Sequence, residues 1–249
     1  MTIKVGVIGS AGRMGAEVIA ALASADDLEL VAAVDVDDDL NQLVAAGVQV
    51  AVDFTTPMTV MANLAFCIDH GINAVVGTSG FTPQRLTELR EQLATHPDVG
   101  VLIAPNFGIA AVLMMSFAAR AARFFDSAEI IEMHHPAKVD APSGTARRTA
   151  ELISQARSEA GCAPMPDATV DQVPGARGAE IEGVHVHAVR ALGLIAHQEV
   201  VFGGPGEILT IRHDSMNRAS FMPGVLLAVR EVGSRPGLTV GLEHLLNLD

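Results

Sequence analysis

Lysine is scarce in this 249-residue chain: Lys4 and Lys138 are the only two among 16 basic residues, the rest being arginine. Arginine keeps its proton under ordinary conditions whereas a lysine gives one up under modest pressure, so the isolated Lys138 points to proton chemistry. Cysteine is nearly missing as well. Cys67 and Cys162 show no metal-type spacing, which indicates neither a disulfide framework nor a zinc site and suits a reducing, cytoplasmic setting. Positive charge is short overall, and a formal net charge of −13 argues against a nucleic-acid or anionic-membrane partner, since either favours a basic surface. An acidic protein that binds an anion must therefore gather its cations locally. Long hydrophobic runs are lacking too. Lys4 precedes the apolar residues 5–8, but Gly9, Gly12 and Arg13 interrupt the run where the core of a signal peptide would continue. The uncharged window 101–119 is cut by Pro105 and Asn106 into a strand-like part and a helical part, so it reads as buried core and not as a membrane span. There is no internal repeat and no low-complexity tract. With 49% hydrophobic residues the chain can bury a sizeable core, and its length suggests two domains.

The run 3–8 reads as a strand, 16–23 as a helix, and Gly9, Gly12 and Gly15 lie between them. This is the order of a dinucleotide fingerprint, spaced GxxGxxG instead of GxGxxG. Glycines here let the backbone turn tightly and approach a pyrophosphate at a helix N-terminus, which makes Gly9, Ser10, Ala11, Gly12, Arg13 and Met14 candidate cofactor contacts. A second strand, 29–34, ends at Asp35, where a carboxylate can accept from ribose hydroxyls. That charge repels a 2′-phosphate and Val36 brings no compensating cation, so NADH is favoured; Arg13 in the turn keeps NADPH use open.

The α/β rhythm continues with strands at 48–54, 73–76 and 99–104 and helices at 57–69, opened by Thr56 and Pro57, and from Thr82 and Pro83 to about 94. Gly77, Thr78 and Ser79 follow one strand, and Ala104, Pro105, Asn106 and Phe107 another. Ligands of open parallel sheets sit outside the C-terminal strand ends, so these loops join the candidate cofactor rim. Beyond Gly108 the pattern changes to a long apolar helix to about 125, a strand at 127–135, a helix at 145–160 and a loop at 161–178. Strands follow at 184–190, 197–202 and 207–213, the last two joined by the hairpin turn 203–206. These make a second, α+β domain on a mixed or antiparallel sheet. A last helix, 220–232, and a tail, 238–248, are placed back with the first domain. The expected division is 1–107 with 216–249, for the dinucleotide, and 108–215, for substrate and oligomerisation.

The densest chemistry lies at 132–145. His134, His135 and Lys138 stand ahead of Ser143, Gly144 and Thr145, which open a helix and offer hydroxyls and N–H groups to a carboxylate. Strand alternation turns one of the two histidines away unless Pro136 ends the strand and lets both converge. Glu132 shares a face with His134, and a carboxylate there is expected to favour the imidazolium. The cluster suits a small polyanion that must also exchange a proton. His185, His187, His197 and His213 on the later strands read either as satisfied sheet histidines or as a wall around an anion; no metal set is apparent.

On Gly9–Gly15, Asp53-Phe54-Thr55, Gly77–Gly80, Ala104–Phe107 and above all Glu132–Thr145, the sequence resembles the dihydrodipicolinate reductase (4-hydroxy-tetrahydrodipicolinate reductase) family over nearly its whole length. Gly193 with His197, and His213 with Arg218 and Phe221, add to the likeness. The resemblance implies a Rossmann-like nucleotide-binding domain made from both chain ends, and a central domain whose sheet builds a homotetramer. It implies NAD(P)H-dependent hydride transfer to a cyclic conjugated imine carrying two carboxylates, in the diaminopimelate route to lysine. His134 matches the catalytic acid/base, Lys138 the proton donor, and His135, Gly144 and Thr145 the substrate contacts; Ser143 goes with them. Ser79 stands where threonine is frequent, and no basic residue follows Asp35. Two other readings share the first domain: a different two-domain NAD(P)-dependent reductase, and a redox-sensing dinucleotide-binding protein.

Overall fold

An apolar run can form a strand buried on both faces only where helices cover both sides of a parallel sheet. β1 (Ile3–Ile8) is such a strand, with Val5 and Val7 fully buried. It lies between β2 (Leu28–Val34) and β3 (Val50–Asp53), both parallel to it. β4 (Asn73–Val76), β5 (Gly100–Ile103) and β11 (Gly237–Val240) extend the sheet in the order β11-β5-β4-β3-β1-β2. The chain leaves β1 to one side for β2 and returns to the other side for β3, which creates a switch point at the carboxyl end of β1. The computed structural model describes residues 2–246 and 248; Met1, Asn247 and Asp249, which the expected first domain includes, lie outside the described residues.

The first unit runs over Met1–Ile109 and Arg218–Asp249 and the second over Ala110–Asn217. In the first, α1 (Arg13–Leu22) follows the glycine turn, and α4 (Pro83–Ala94) is capped by Thr82, whose hydroxyl accepts from the Arg85 N–H. α3 (Val60–Asp69) begins later than expected from Pro57. The Thr56 carbonyl accepts from both Thr59 and Val60, so residues 57–59 form a turn before the helix. The short α2 (Asn41–Ala45) has no counterpart among the expected helices, because five residues are too few to display a 3.6 periodicity. β11 is also additional: the expected tail pairs in parallel with β5 and closes one edge of the sheet.

The second unit is a five-stranded mixed sheet, β10-β9-β6-β8-β7. Its central strand, β6 (Ser127–His134), is antiparallel to β9 (Ala196–Gly204) and parallel to β8 (Val184–Arg190). β10 (Glu207–Ser215) and the short β7 (Ala179–Ile181) form the edges. α5 (Ile109–Ala121) carries the chain into this unit, and α6 (Gly144–Glu159) covers one face of the sheet. Ala128, Ile130, Val184, Val186, Val200 and Phe202 from the strands pack on Ala146, Ala150 and Ile153 of α6. Alternation then places Glu129, Ile131, His187 and Val189 on the opposite face. The helix expected to reach residue 125 is completed by a 3-10 turn over Ala122–Phe124.

Candidate active site

The carboxyl ends of the parallel strands carry the expected cofactor loops, and their backbone explains the glycines. Gly9 has φ +83°, a conformation costly for any other residue. A Cβ on Gly15 would stand 2.1 Å from the Gly9 carbonyl oxygen, so only glycine lets α1 start this close to β1. Gly12 is the N-cap of α1 and donates to the Gly9 carbonyl. Ser10 donates to the Val34 carbonyl and Ala11 to Asp35 Oδ2 at 2.7 Å, while Arg13 is exposed and Met14 half-buried at the start of the helix. The Ala11 and Val36 N–H groups hold the Asp35 carboxyl below its ordinary value. An ionised carboxylate beside a tight turn and a helix N-terminus is a fit for a dinucleotide's ribose and pyrophosphate.

Behind this rim lies a buried carboxylate, Asp53. Its Oδ1 accepts from the Thr55 N–H at 2.8 Å, the Thr55 hydroxyl at 2.7 Å and the Thr78 hydroxyl at 3.1 Å, and its Oδ2 accepts from Asn63 at 2.8 Å. The Asp53 carbonyl also receives the Gly77 N–H. Thr78 therefore directs its side chain inward and braces the loop, leaving Ser79 exposed. In the next loop Ala104 donates to the Val76 carbonyl, Asn106 Oδ1 accepts from Gly108 at 2.7 Å, and Pro105 is exposed. Phe107 is buried with its ring 5.8 Å from that of Phe54.

In the second unit the end of β6 sets the geometry. Glu132 and His134 share a face, and Glu132 is wholly buried. Its Oε2 takes His134 Nδ1 at 2.6 Å and Arg190 Nη1 at 2.7 Å; its Oε1 takes Arg190 Nη2 at 2.8 Å and the Ser143 N–H at 3.0 Å. The carboxylate binds the proton of Nδ1, which turns Nε2 of His134 away from Glu132 with its lone pair. Burial alone would raise the Glu132 pKa, yet Arg190, His134 and the Ser143 N–H outweigh it and hold the group below its ordinary value. His134 differs from the expectation. Burial, its strongest influence, lowers its pKa; Glu132 opposes this, Lys138 and Arg190 reinforce it, and the outcome is a lowered value. The expected preference for imidazolium fails because burial outweighs the pull of Glu132, with Lys138 and Arg190 adding to it.

Lys138 N donates to the His135 carbonyl, so residues 135–138 form a tight turn that brings Lys138 back beside the strand end, where its Nζ meets Asp140 Oδ1 at 2.6 Å. Lys138, first, and the Gly144 N–H, in smaller part, keep Asp140 below its ordinary value. Ser143 caps α6, its hydroxyl accepting from Ala146 at 3.2 Å, and is itself buried. Gly144 is exposed, with nothing within 4 Å of where a Cβ would stand. One turn on, Gln198 donates to the Thr149 hydroxyl and Thr149 to the Thr145 carbonyl, each at 2.8 Å, fixing the first turn of α6 from below. A cation and a rigid helix N-terminus thus converge on one carboxylate-sized place.

Three of the other strand histidines lie beside carboxylates. His187 meets Glu129 at 2.5 Å, and Glu129 also binds Arg177; His185 stands 3.7 Å from Asp167; His197 Nδ1 meets Asp214 at 2.7 Å while its Nε2 accepts from Ile195. His187 and His197 are thus satisfied sheet histidines, whereas His185 Nδ1 is buried without a hydrogen-bond partner, and among the described residues no group of His, Cys, Asp and Glu is placed to hold a metal. Sequence reasoning missed Arg190 and the part played by Asp140. Arg190 lies 58 residues from Glu132 and gives no local signal; only the β6–β8 register, which sets it opposite His134, brings it in.

Two family models cover the chain: dihydrodipicolinate reductase, N-terminus, over residues 3–107, and dihydrodipicolinate reductase, C-terminus, over 110–246. A 4-hydroxy-tetrahydrodipicolinate reductase of Nocardia farcinica is 61% identical over 248 residues, covering 100% of both chains. One from Streptomyces griseus is 60% identical over 247 residues, covering 99% of each. Among solved structures, the dipicolinate-bound dihydrodipicolinate reductase from Paenisporosarcina sp. TG-14 is 38% identical, with a TM-score of 0.87 over 98% of this chain and 99% of that one. With its glycine turn, its Asp53 network and its Glu132–Thr145 constellation on this fold, the chain belongs to the dihydrodipicolinate reductase family.

Proposed function

We propose that this protein reduces 4-hydroxy-tetrahydrodipicolinate to tetrahydrodipicolinate with NAD(P)H, in the diaminopimelate route to lysine. The observation that carries the reading is the end of β6, where one buried carboxylate orients His134 while Lys138 and the α6 N-terminus gather at an anion-sized place. When bound, a reduced nicotinamide would supply the hydride for C4 of the conjugated cyclic imine. Residues Gly9 to Met14, Asp35, Gly77 to Ser79 and Ala104 to Phe107 hold the cofactor, with NADH favoured because Asp35 is ionised and faces the glycine turn. His135, Ser143, Gly144 and Thr145 hold a substrate carboxylate, which takes the place of Asp140 beside Lys138 and the Gly144 N–H. The Paenisporosarcina relative binds dipicolinate, a planar dicarboxylate, which supports this class of substrate.

Hydride addition leaves negative charge on the ring system, and a positioned acid must quench it. Lys138 carries the ready proton. His134, whose pKa burial holds below the ordinary value, takes and returns a proton at Nε2. The open face of the second sheet, with Val189 40% and Ile208 73% exposed, supports assembly into a homotetramer. Free Cys67 and Cys162 suit a cytoplasmic setting.

Steady-state rates of NADH and NADPH oxidation with the condensation product of pyruvate and aspartate semialdehyde test the reading. Turnover with this substrate and none with simple aldehydes is expected. NADH binding without turnover would favour a redox sensor, and turnover of simple aldehydes alone a different reductase.

A further inference from the structure

We propose that Arg190 is a positioning residue for proton transfer, holding both His134 and the Lys138 turn through one guanidinium. This rests on the proton-handling roles given above to His134 and Lys138. The guanidinium grips Glu132 with two parallel bonds, Nη1 to Oε2 at 2.7 Å and Nη2 to Oε1 at 2.8 Å. Its Nη2 also donates to the backbone carbonyl of Asp140 at 2.7 Å. Asp140 in turn carries the carboxylate that holds Lys138 Nζ. Four segments are thereby joined at a single cation: the end of β6, the end of β8, the 135–142 turn and, through the Ser143 N–H on Glu132, the cap of α6.

Arginine is needed for this geometry. A planar fork satisfies two carboxylate oxygens at once and still reaches a carbonyl, whereas a lysine ammonium is a point charge on a flexible stem. The pairing also bears on the state of His134. The charged groups that face His134 are Glu132 on its own strand, Lys138 on the turn and Arg190 on β8, with Asp140 behind Lys138. Left alone with Glu132 in a buried place, the imidazole would be drawn to its charged form. Arg190 opposes that pull, together with burial and Lys138, while leaving the Glu132 oxygen in place to hold the Nδ1 proton.

The test is an NMR titration of the His134 imidazole in the intact protein, reading both its midpoint and its tautomer, alongside kcat–pH profiles. In Arg190→Met the midpoint is expected to rise by about one pH unit, since the carboxylate loses its counter-charge. The kcat profile should move in the same direction, while its low-pH plateau falls about tenfold or more because the imidazole and the Lys138 turn lose their fixed orientation, with Arg190→Lys lying between the two. Were Arg190→Met to fail to fold, Glu132→Gln serves instead: its midpoint should fall below that of the unaltered protein and the imidazole should lose its preference for the Nδ1–H tautomer. An unshifted His134 midpoint and unshifted profile in a folded Arg190→Met protein, or an unaltered His134 in Glu132→Gln, would overturn the proposal and reduce Arg190 to a structural ion pair. Because the titration needs no turnover, a protein inactive on the substrate but showing the shift would sink the proposed function and leave Arg190 as the positioning residue of His134.

Discussion

The Ala11 N–H donates to Asp35 Oδ2 at 2.7 Å, which ties the glycine turn after β1 to the carboxylate at the end of β2. One side chain therefore shapes the turn and, in the proposed cofactor site, would face the ribose. Replacing it separates the two cofactors: Asp35→Ser should lower kcat/KM with NADH by about tenfold and change that with NADPH much less, because only NADPH carries the phosphate that the carboxylate repels. Equal losses with both cofactors would remove Asp35 as the discriminating residue.

The contact between Gly15 and the Gly9 carbonyl makes a second expectation. A methyl group there would stand 2.1 Å from that oxygen, so Gly15→Ala must push α1 off the end of β1. NADH affinity measured by calorimetry should weaken at least about tenfold, or about 1.4 kcal/mol. Binding at the original strength would show that the turn does not approach the cofactor.

Glu132 gives the second unit an acid-sensitive bond. Burial pushes its pKa up, but Arg190, His134 and the Ser143 N–H prevail and hold it below the ordinary 4.5. A carboxyl with a depressed folded-state pKa contributes stability above its ordinary value and loses it as pH falls through the folded one. Glu132→Gln should therefore cost about 3 kcal/mol near neutrality, as for a broken buried pair, and the gap in melting temperature should close as pH falls below 4.5 and through the lowered folded-state value. A gap that stays constant down to that pH would contradict the sign.

Catalytic loss should be concentrated in turnover. His134→Ala and Lys138→Ala are each expected to lower kcat by about 10²- to 10⁴-fold while the protein still binds NADH. If His134 delivers a proton in the rate-limiting step, kcat in the unaltered enzyme falls as pH rises through its pKa, which lies below the ordinary 6.5. Stopped-flow rates across pH check this; full turnover in both variants would dismiss the assignment.

Much of this was open to inspection along the chain. Gly9, Gly12 and Gly15 between an apolar run and a helix, then Asp35 after the next strand, state a nucleotide-binding turn because the steric demands of such a turn are local and only glycine meets them. His134, Lys138 and Ser143 to Thr145 are legible for the same reason: a strand end, a short turn and a helix cap lie within a dozen residues. Elements without local periodicity were not legible. α2 is too short to show a repeat, and β11 is recognisable as a strand only once β5 offers it an edge.

What the tertiary structure alone decided is the charge state and the orientation of those groups. Nothing local says that Thr78 turns inward to Asp53, or that Arg190, from a strand far along the chain, lies in register with His134 and neutralises Glu132. Sequence proximity of Glu132 and His134 suggested an imidazolium; in the fold, burial above all lowers the His134 pKa instead. The physical reason is that a residue's chemical type is a property of the chain, whereas its pKa and hydrogen bonds are sums over every charge and dipole packed around it, and most of those arrive from elsewhere.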